Sequence, residues 1–142
     1  MKTVIVFLMC IPLFLFTGCT KEYYLNYTEL AATVNEAYIV EVQRSEYYSE
    51  ASVEYIRQIR DGELDDFLMK LSNLRFEYSV FLEPANNTGK AIMLKYNGTD
   101  YDYTIIGKNG IEKFKDGEQK YLYNATCDEN ALSSLINEYF AD

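Results

Sequence analysis

Histidine is absent from this sequence. The side chain most often used as a general base near neutral pH, and the commonest nitrogen ligand for metals, is therefore unavailable. Ser–His and Cys–His nucleophilic pairs are excluded, as are zinc sites built on imidazole. Tryptophan is absent too, and three cysteines, Cys10, Cys19 and Cys127, leave little disulfide chemistry. Positive charge is in deficit, with 13 Lys and Arg against 22 Asp and Glu. Nucleic-acid binding rests on a basic footprint for phosphates, so this balance disfavours nucleic acid as a partner. An anionic lipid surface would likewise repel the chain unless something other than basic residues held it there.

What is present begins at the N-terminus. Lys2 precedes an uncharged apolar run from Val4 to Phe16. At about 1.5 Å per helical residue the run is too short for a hydrocarbon core of about 30 Å. It has the length of a signal-peptide apolar region. Cleavage after Gly18 by an ordinary secretory route would place bulky Phe16 three residues before the cut, where a small side chain is favoured. The segment Phe16-Thr17-Gly18-Cys19 instead resembles the bacterial lipobox: Thr17, Gly18 and Cys19 match it, and Phe16 departs from the usual aliphatic residue. The resemblance covers the first 19 residues. It implies diacylglycerol on the Cys19 thiol and cleavage before that residue. The alternatives are an uncleaved anchor or an ordinary secreted protein. Two acyl chains suffice to hold a soluble domain stably on a bilayer.

Removal of residues 1–18 takes Lys2 with it. The 12 remaining basic residues then face all 22 acidic ones, a net charge of −10. Cys10 leaves with the signal and Cys19 carries lipid, so Cys127 has no intrachain partner and the domain depends on its apolar core. Residues 19–27 read as a lipid-anchored tether and residues 28–142 as one domain, long enough to bury a core without crosslinks.

Along that domain the pattern predicts a short helix over Thr28–Val34, a strand over Ala37–Val42, a polar loop over Ser45–Ser52 and a strand over Val53–Ile59. Leu64, Phe67, Leu68, Leu71 and Leu74 then recur at helical spacing, predicting a helix over Gly62–Asn73 with Asp61 at its N-cap. Phe76, Tyr78, Val80 and Leu82 alternate as a strand that Pro84 ends. Asn97-Gly98, Asn109-Gly110 and Asp116-Gly117 are hairpin dipeptides, because these residues readily adopt positive φ. A two-residue loop at Asn97-Gly98 would set Ile92 opposite Tyr103, Leu94 opposite Tyr101 and Tyr96 opposite Thr99. The other face would then pair Lys95 with Asp100 and Met93 with Asp102. The registers at the other two dipeptides are ambiguous, although Phe114 and Tyr121-Leu122-Tyr123 support strands beside them. Thr126-Cys127-Asp128-Glu129 reads as a capping box for a C-terminal helix carrying Ala131, Leu132, Leu135, Ile136 and Tyr139 on one stripe. The expected fold is α+β: an antiparallel β-meander with helices packed on one face.

Few residues suggest chemistry. Asp100 and Asp102 would point to one sheet face and, with Asn97, could hold a calcium ion through oxygen ligands. The spacing lacks other features of a calcium loop, and a solvated polar face is the favoured reading. Glu63, Asp65 and Asp66 resemble acid–base carboxylates only in number, because neighbours on one helical turn do not face each other across a cleft. Cys127 near a helix N-terminus has no His or second Cys to activate it and reads as a small buried side chain. Tyr101 and Tyr103 are assigned to the packed sheet face. Tyr47 and Tyr48, in a polar segment, offer rigid amphipathic area for a protein or sugar. Asn-x-Thr sequons start at Asn26, Asn86, Asn97 and Asn124. Beside a lipobox they read as products of an Asn- and Thr-rich composition rather than glycosylation sites.

No catalytic, cofactor or metal site emerges. In general pattern the chain resembles the small uncharacterised lipoproteins of Firmicute-type bacteria, a likeness that implies no activity. The expectation is an extracytoplasmic, non-enzymatic binding module anchored to the membrane through palmitate-bearing Cys19, with a protein or cell-envelope partner. An inhibitor or immunity-type protein and a carboxylate- or metal-dependent envelope enzyme are the alternatives.

Overall fold

The computed structural model describes residues 21–44, 51–78, 86–123 and 125–140. In chain order these form β1 (Lys21–Tyr23), α1 (Tyr27–Thr33), β2 (Val34–Arg44), β3 (Ala51–Gln58), α2 (Asp61–Ser72) and β4 (Phe76–Tyr78). There follow β5 (Gly89–Tyr96), β6 (Tyr103–Gly107), β7 (Gly110–Lys115), β8 (Glu118–Tyr123), β9 (Ala125–Cys127) and α3 (Glu129–Phe140). The described strands make two antiparallel sheets, a small one ordered β1-β4-β9 and a large one ordered β3-β2-β5-β6-β7-β8. The run β5 to β8 is the expected meander, and the fold class is α+β as the pattern predicts.

Beyond the predicted order, the described residues add two three-residue strands, β1 and β9, which flank β4. Both were too short to show a period. β1 falls inside the segment read as a tether, where Lys21, Glu22 and Tyr23 pair with Tyr78, Glu77 and Phe76. The lipobox, Cys19, Tyr47, Tyr48, Asn124 and the Ser79–Leu82 half of the predicted strand lie outside the described residues.

The helices start one or two residues from where the sequence placed them. Asn26 caps α1, its side-chain oxygen accepting from the Glu29 N–H at 3.2 Å. Arg60, not Asp61, is the N-cap of α2, and the Glu63 carboxylate reaches back to the Arg60 N–H at 3.4 Å. Asp61 sits in the first turn, where its charge still suits the helix dipole. At α3 the cap is Asp128 rather than Thr126: one Asp128 oxygen accepts from Asn130 N–H at 2.8 Å and Ala131 N–H at 3.1 Å. Thr126 is drawn away because it pairs with Glu77 in the small sheet.

All three helices pack on one face of the large sheet. Leu30, Phe67, Leu68, Leu71, Leu132, Leu135, Ile136 and Tyr139 meet Ala37, Ile39, Ile92, Leu94, Ile106 and Ile111, and the small sheet adds Phe76, Ala125 and Cys127. Phe67 and Tyr139 lock α2 to α3 edge-on, with ring centroids 5.0 Å apart. The other sheet face is not the solvated one expected. Val40, Val42, Ala91, Met93, Ile105 and Phe114 form a second buried cluster there, with Tyr38, Val53 and Tyr103 packed at its margin.

The Asn97-Gly98 register is corrected. Ile92 stands opposite Ile106, Leu94 opposite Thr104 and Lys95 opposite Tyr103. Residues 97–102 form a longer connection, with Tyr96 N–H bonded to the Asp102 carbonyl at 3.2 Å and Asn97 N–H to the Thr33 carbonyl at 3.1 Å. The change is an odd number of residues, so it moves Tyr103 to the second-cluster face. Asp116-Gly117 forms a two-residue hairpin loop: φ is 53° and 76°, and Lys115 pairs with Glu118, while at the Asn109-Gly110 dipeptide the two-residue loop is Lys108-Asn109, with Gly107 opposite Gly110. Positive φ at both Asp116 and Gly117 is the type I′ geometry that suits strand twist.

Candidate functional site

Strand alternation gathers aromatic side chains on the sheet face away from the helices. Tyr55 on β3 stands opposite Val40, Tyr38 on β2 opposite Met93, and Tyr103 on β6 opposite Lys95 of β5. The rings of Tyr38 and Tyr55 meet edge-on at 5.1 Å. The Lys95 ammonium lies 4.8 Å from the Tyr38 ring centre and 5.2 Å from that of Tyr55. Glu36 completes the group: Lys95 Nζ is 3.7 Å from its Oε2, and the Tyr38 hydroxyl donates to the same oxygen at 2.7 Å. Tyr103 stacks on Phe114 at 4.5 Å, extending the aromatic surface across β6 and β7.

The electrostatics of this group are internally matched. Partial burial works to lower the Lys95 pKa, but the Tyr55 and Tyr38 hydroxyls and Glu36 outweigh it and hold the ammonium charged. The hydrogen bond to Glu36, helped by burial, raises the Tyr38 phenol above its usual range. Tyr55 nevertheless remains 52 % exposed. A cation held over aromatic faces is worth about 0.5–1 kcal/mol at exposed sites. These contacts restrict the rotamers of Tyr55, so a partner meeting it would lose less side-chain entropy than with a free tyrosine. Although β3 is an edge strand, a register shift between Ile39 and Val40 leaves Ile56 as an extra residue and bends that edge. Such a bulge discourages pairing with a foreign strand and leaves the side-chain face as the better contact surface.

At the other end of the same face is a polar node that sequence reasoning missed. Glu112, on β7 opposite Ile105, is fully buried. Its Oε1 accepts from Arg44 Nη2 and from Gln119 Nε2 at 2.7 Å; its Oε2 accepts from the Asn87 N–H at 3.2 Å and Asn87 Nδ2 at 2.8 Å. Arg44 Nε also donates to the Asn87 carbonyl at 2.9 Å, and Asn87 bridges to the Gly110 carbonyl and the Asn109 N–H. Among the described residues every contact to the carboxylate is a donor, which fits Glu112 to a structural role as an acceptor. The one signal in the sequence was phase, because Glu112 shares its strand face with Phe114.

The sequence candidates fall elsewhere. Asp100 and Asp102 lie in the connection rather than on a strand, and Lys95 faces Tyr103 instead of Asp100. Asp102 is engaged by the Asp116 N–H at 2.6 Å and Lys115 Nζ at 3.1 Å, which hold its carboxyl below the usual range. Glu63 lies 3.7 Å from Arg57, Asp65 accepts from the Tyr27 hydroxyl at 2.5 Å, and Asp66 accepts from Lys70 at 2.7 Å and Tyr139 at 2.5 Å. These α2 carboxylates tie the helix to its neighbours and do not converge on a cleft. Cys127 is buried on β9, and burial followed by the Asp128 charge pushes its thiol up to about 11. Among the sequons, Asn26 is occupied as a helix cap, and Asn86 has its Oδ1 buried without a hydrogen-bond partner among the described residues.

A cleft of about 450 Å³ is lined by Arg75, Glu77, Thr126, Cys127 and Asp128. Its two carboxylates are already in use, Glu77 by Arg75 and Asp128 by the α3 N-terminus. Among the described residues no three His, Cys, Asp or Glu side chains gather as a metal site would require. No described helix is long and apolar enough to cross a membrane. No protein-family model matches the chain, and no curated protein or solved structure matches it.

Proposed function

We propose that this chain is an extracytoplasmic lipoprotein, held on the cell membrane by acyl chains on Cys19. Its domain serves as a non-enzymatic binding module for a protein or cell-envelope partner. The observation that carries the anchoring is the residue order from Val4 to Cys19, an apolar run of signal length closed by Thr17-Gly18-Cys19. The binding role is supported by the braced group of Tyr38, Tyr55 and Lys95. Exposed aromatic area held rigid beside a fixed charge is what protein-recognition surfaces concentrate.

The test has two arms. Labelled palmitate is fed to cells making the wild type and Cys19→Ala; label and membrane association are expected in the first and lost in the second. An unlabelled wild type refutes the anchoring. A photo-crosslinking phenylalanine analogue is then placed at Tyr55 and, as control, at Met69, which is 45 % exposed on α2. Capture of a discrete partner from Tyr55 alone is expected, and equal capture from both positions refutes this choice of surface. An inhibitor or immunity-type protein is a special case of the same reading, favoured by the rigidity of the Tyr55 group. Identification of the captured partner as an enzyme or toxin distinguishes it.

A further inference from the structure

β1 begins two residues after Cys19. A chain extends at most about 3.6 Å per residue, so the Lys21 Cα lies within about 7 Å of the Cys19 Cα. If Cys19 carries lipid, its thiol sits at the glycerol level of the bilayer, and the edge of the small sheet is confined close to the headgroups. A long flexible tether would have freed the domain to face any direction; β1 removes that freedom, because its backbone is paired with β4 from its first residue.

The edge held there has a composition suited to that place. Tyr23, Tyr24 and Tyr78 are 44 %, 50 % and 38 % exposed, large fractions for aromatic side chains. Tyr78 is the direct partner of Lys21, and Tyr23 is next to Tyr24, so the three follow one ribbon. Tyrosine concentrates at membrane–water interfaces, where its ring enters the less polar layer and its hydroxyl stays hydrated. Charge agrees. Arg75 lies 3.2 Å from Glu22 and also pairs with Glu77. With Lys21, these four residues sum to zero, in a mature chain whose balance is −10. The repulsion that an acidic domain would meet at an anionic surface is therefore weaker along this edge than over the domain as a whole.

We propose that the β1 edge of the small sheet lies on the membrane, with Tyr23, Tyr24 and, from the neighbouring β4, Tyr78 in the headgroup layer. The occupant of this surface is the lipid interface itself. The inference rests on the anchoring proposed above and adds an orientation to it. Tyr55 lies on the far face of the large sheet from the core that β4 and β9 share, so this orientation leaves the Tyr55 surface open to a partner.

The absence of tryptophan makes the test direct. Tyr24→Trp, Tyr78→Trp and Tyr55→Trp variants, each with Cys19 intact, are purified from cells fed labelled palmitate. They are reconstituted in phosphatidylcholine vesicles carrying brominated lipid, and their folds are compared by circular dichroism. Strong quenching at positions 24 and 78 with none at 55 is the expected result. Palmitate label without quenching at 24 and 78 overturns the orientation and leaves the anchoring standing. Blue-shifted but unquenched emission at 24 means that protein, such as a second copy, covers the edge, and it overturns the inference equally. Equal quenching at all three positions refutes a defined orientation. Absence of palmitate label removes the anchoring, and the orientation with it.

Discussion

Arg44→Met is the most informative single perturbation. Glu112 is fully buried, and the Arg44 side chain is 12 % exposed. An exposed ion pair would contribute no more than about 1 kcal/mol. Here removal of the guanidinium leaves a carboxylate with three neutral donors, from Asn87 N–H, Asn87 Nδ2 and Gln119 Nε2, and no compensating charge among the described residues. The Asn87 carbonyl loses its Arg44 Nε donor as well. Breaking a buried pair from one side costs about 3–5 kcal/mol. At roughly 4 °C per kcal/mol for a domain of this size, the melting temperature should fall by about 12–20 °C. Urea unfolding followed by far-ultraviolet circular dichroism gives the free energy directly. The double variant Arg44→Met with Glu112→Leu should be milder than Arg44→Met alone. It removes the stranded charge and puts an apolar side chain beside Ile105 and Phe114, although Asn87 loses an acceptor. A loss below about 1 kcal/mol for Arg44→Met would show the carboxylate to be hydrated. A double variant at least as unstable as the single would refute the argument from stranded charge.

Four other outcomes follow from the structure. A methyl at Gly107 would stand 2.4 Å from Asn87 Oδ1 and 2.6 Å from its Cγ, so Gly107→Ala should cost about 1–3 kcal/mol by displacing Asn87. Gly62→Ala, with nothing within 4 Å in α2, should instead stabilise by up to about 1 kcal/mol; denaturant midpoints of both variants check the contrast. Asp128→Ala should lose about 0.5–2 kcal/mol as the α3 cap, measured by thermal unfolding against Thr126→Ser, which leaves that cap intact. With its thiol pushed up to about 11, native Cys127 should react slowly with a disulfide reagent at pH 8 and fast once urea unfolds the chain. Equal rates in the two states would mean that the thiol is accessible.

The elements that were legible share one property: each is built from contacts close in sequence. The stripe Leu64, Phe67, Leu68, Leu71 marks α2, and Leu132, Leu135, Ile136, Tyr139 marks α3, because a helix buries one face at a fixed spacing. Asp116-Gly117 lies where a tight turn formed, because positive φ is a local cost that these residues bear easily. The Asn97-Gly98 register failed for a different reason. Alternation specifies register only when one sheet face is wet. Here Ile105 and Phe114 are buried on one side while Thr104 and Ile106 are buried on the other. With both faces covered, an apolar-looking pairing of Tyr101 and Tyr103 was as plausible locally as the true one. The Tyr38, Tyr55 and Lys95 group depends on the pairing of three strands, and no segment contains it.

By itself, then, the sequence determined the α+β class, the order of the principal strands and helices, and an acidic chemistry without histidine. It also supplied Cys19, the basis of the anchoring proposal. Only the tertiary structure decided the strand register, the second buried face, and the burial of Glu112 among Arg44, Asn87 and Gln119. It also decided that pairing starts at Lys21. Helix periodicity and turn preference are settled by residues within one or two turns of each other, whereas these features join positions separated by tens of residues. Their free energy exists only once the sheet is assembled.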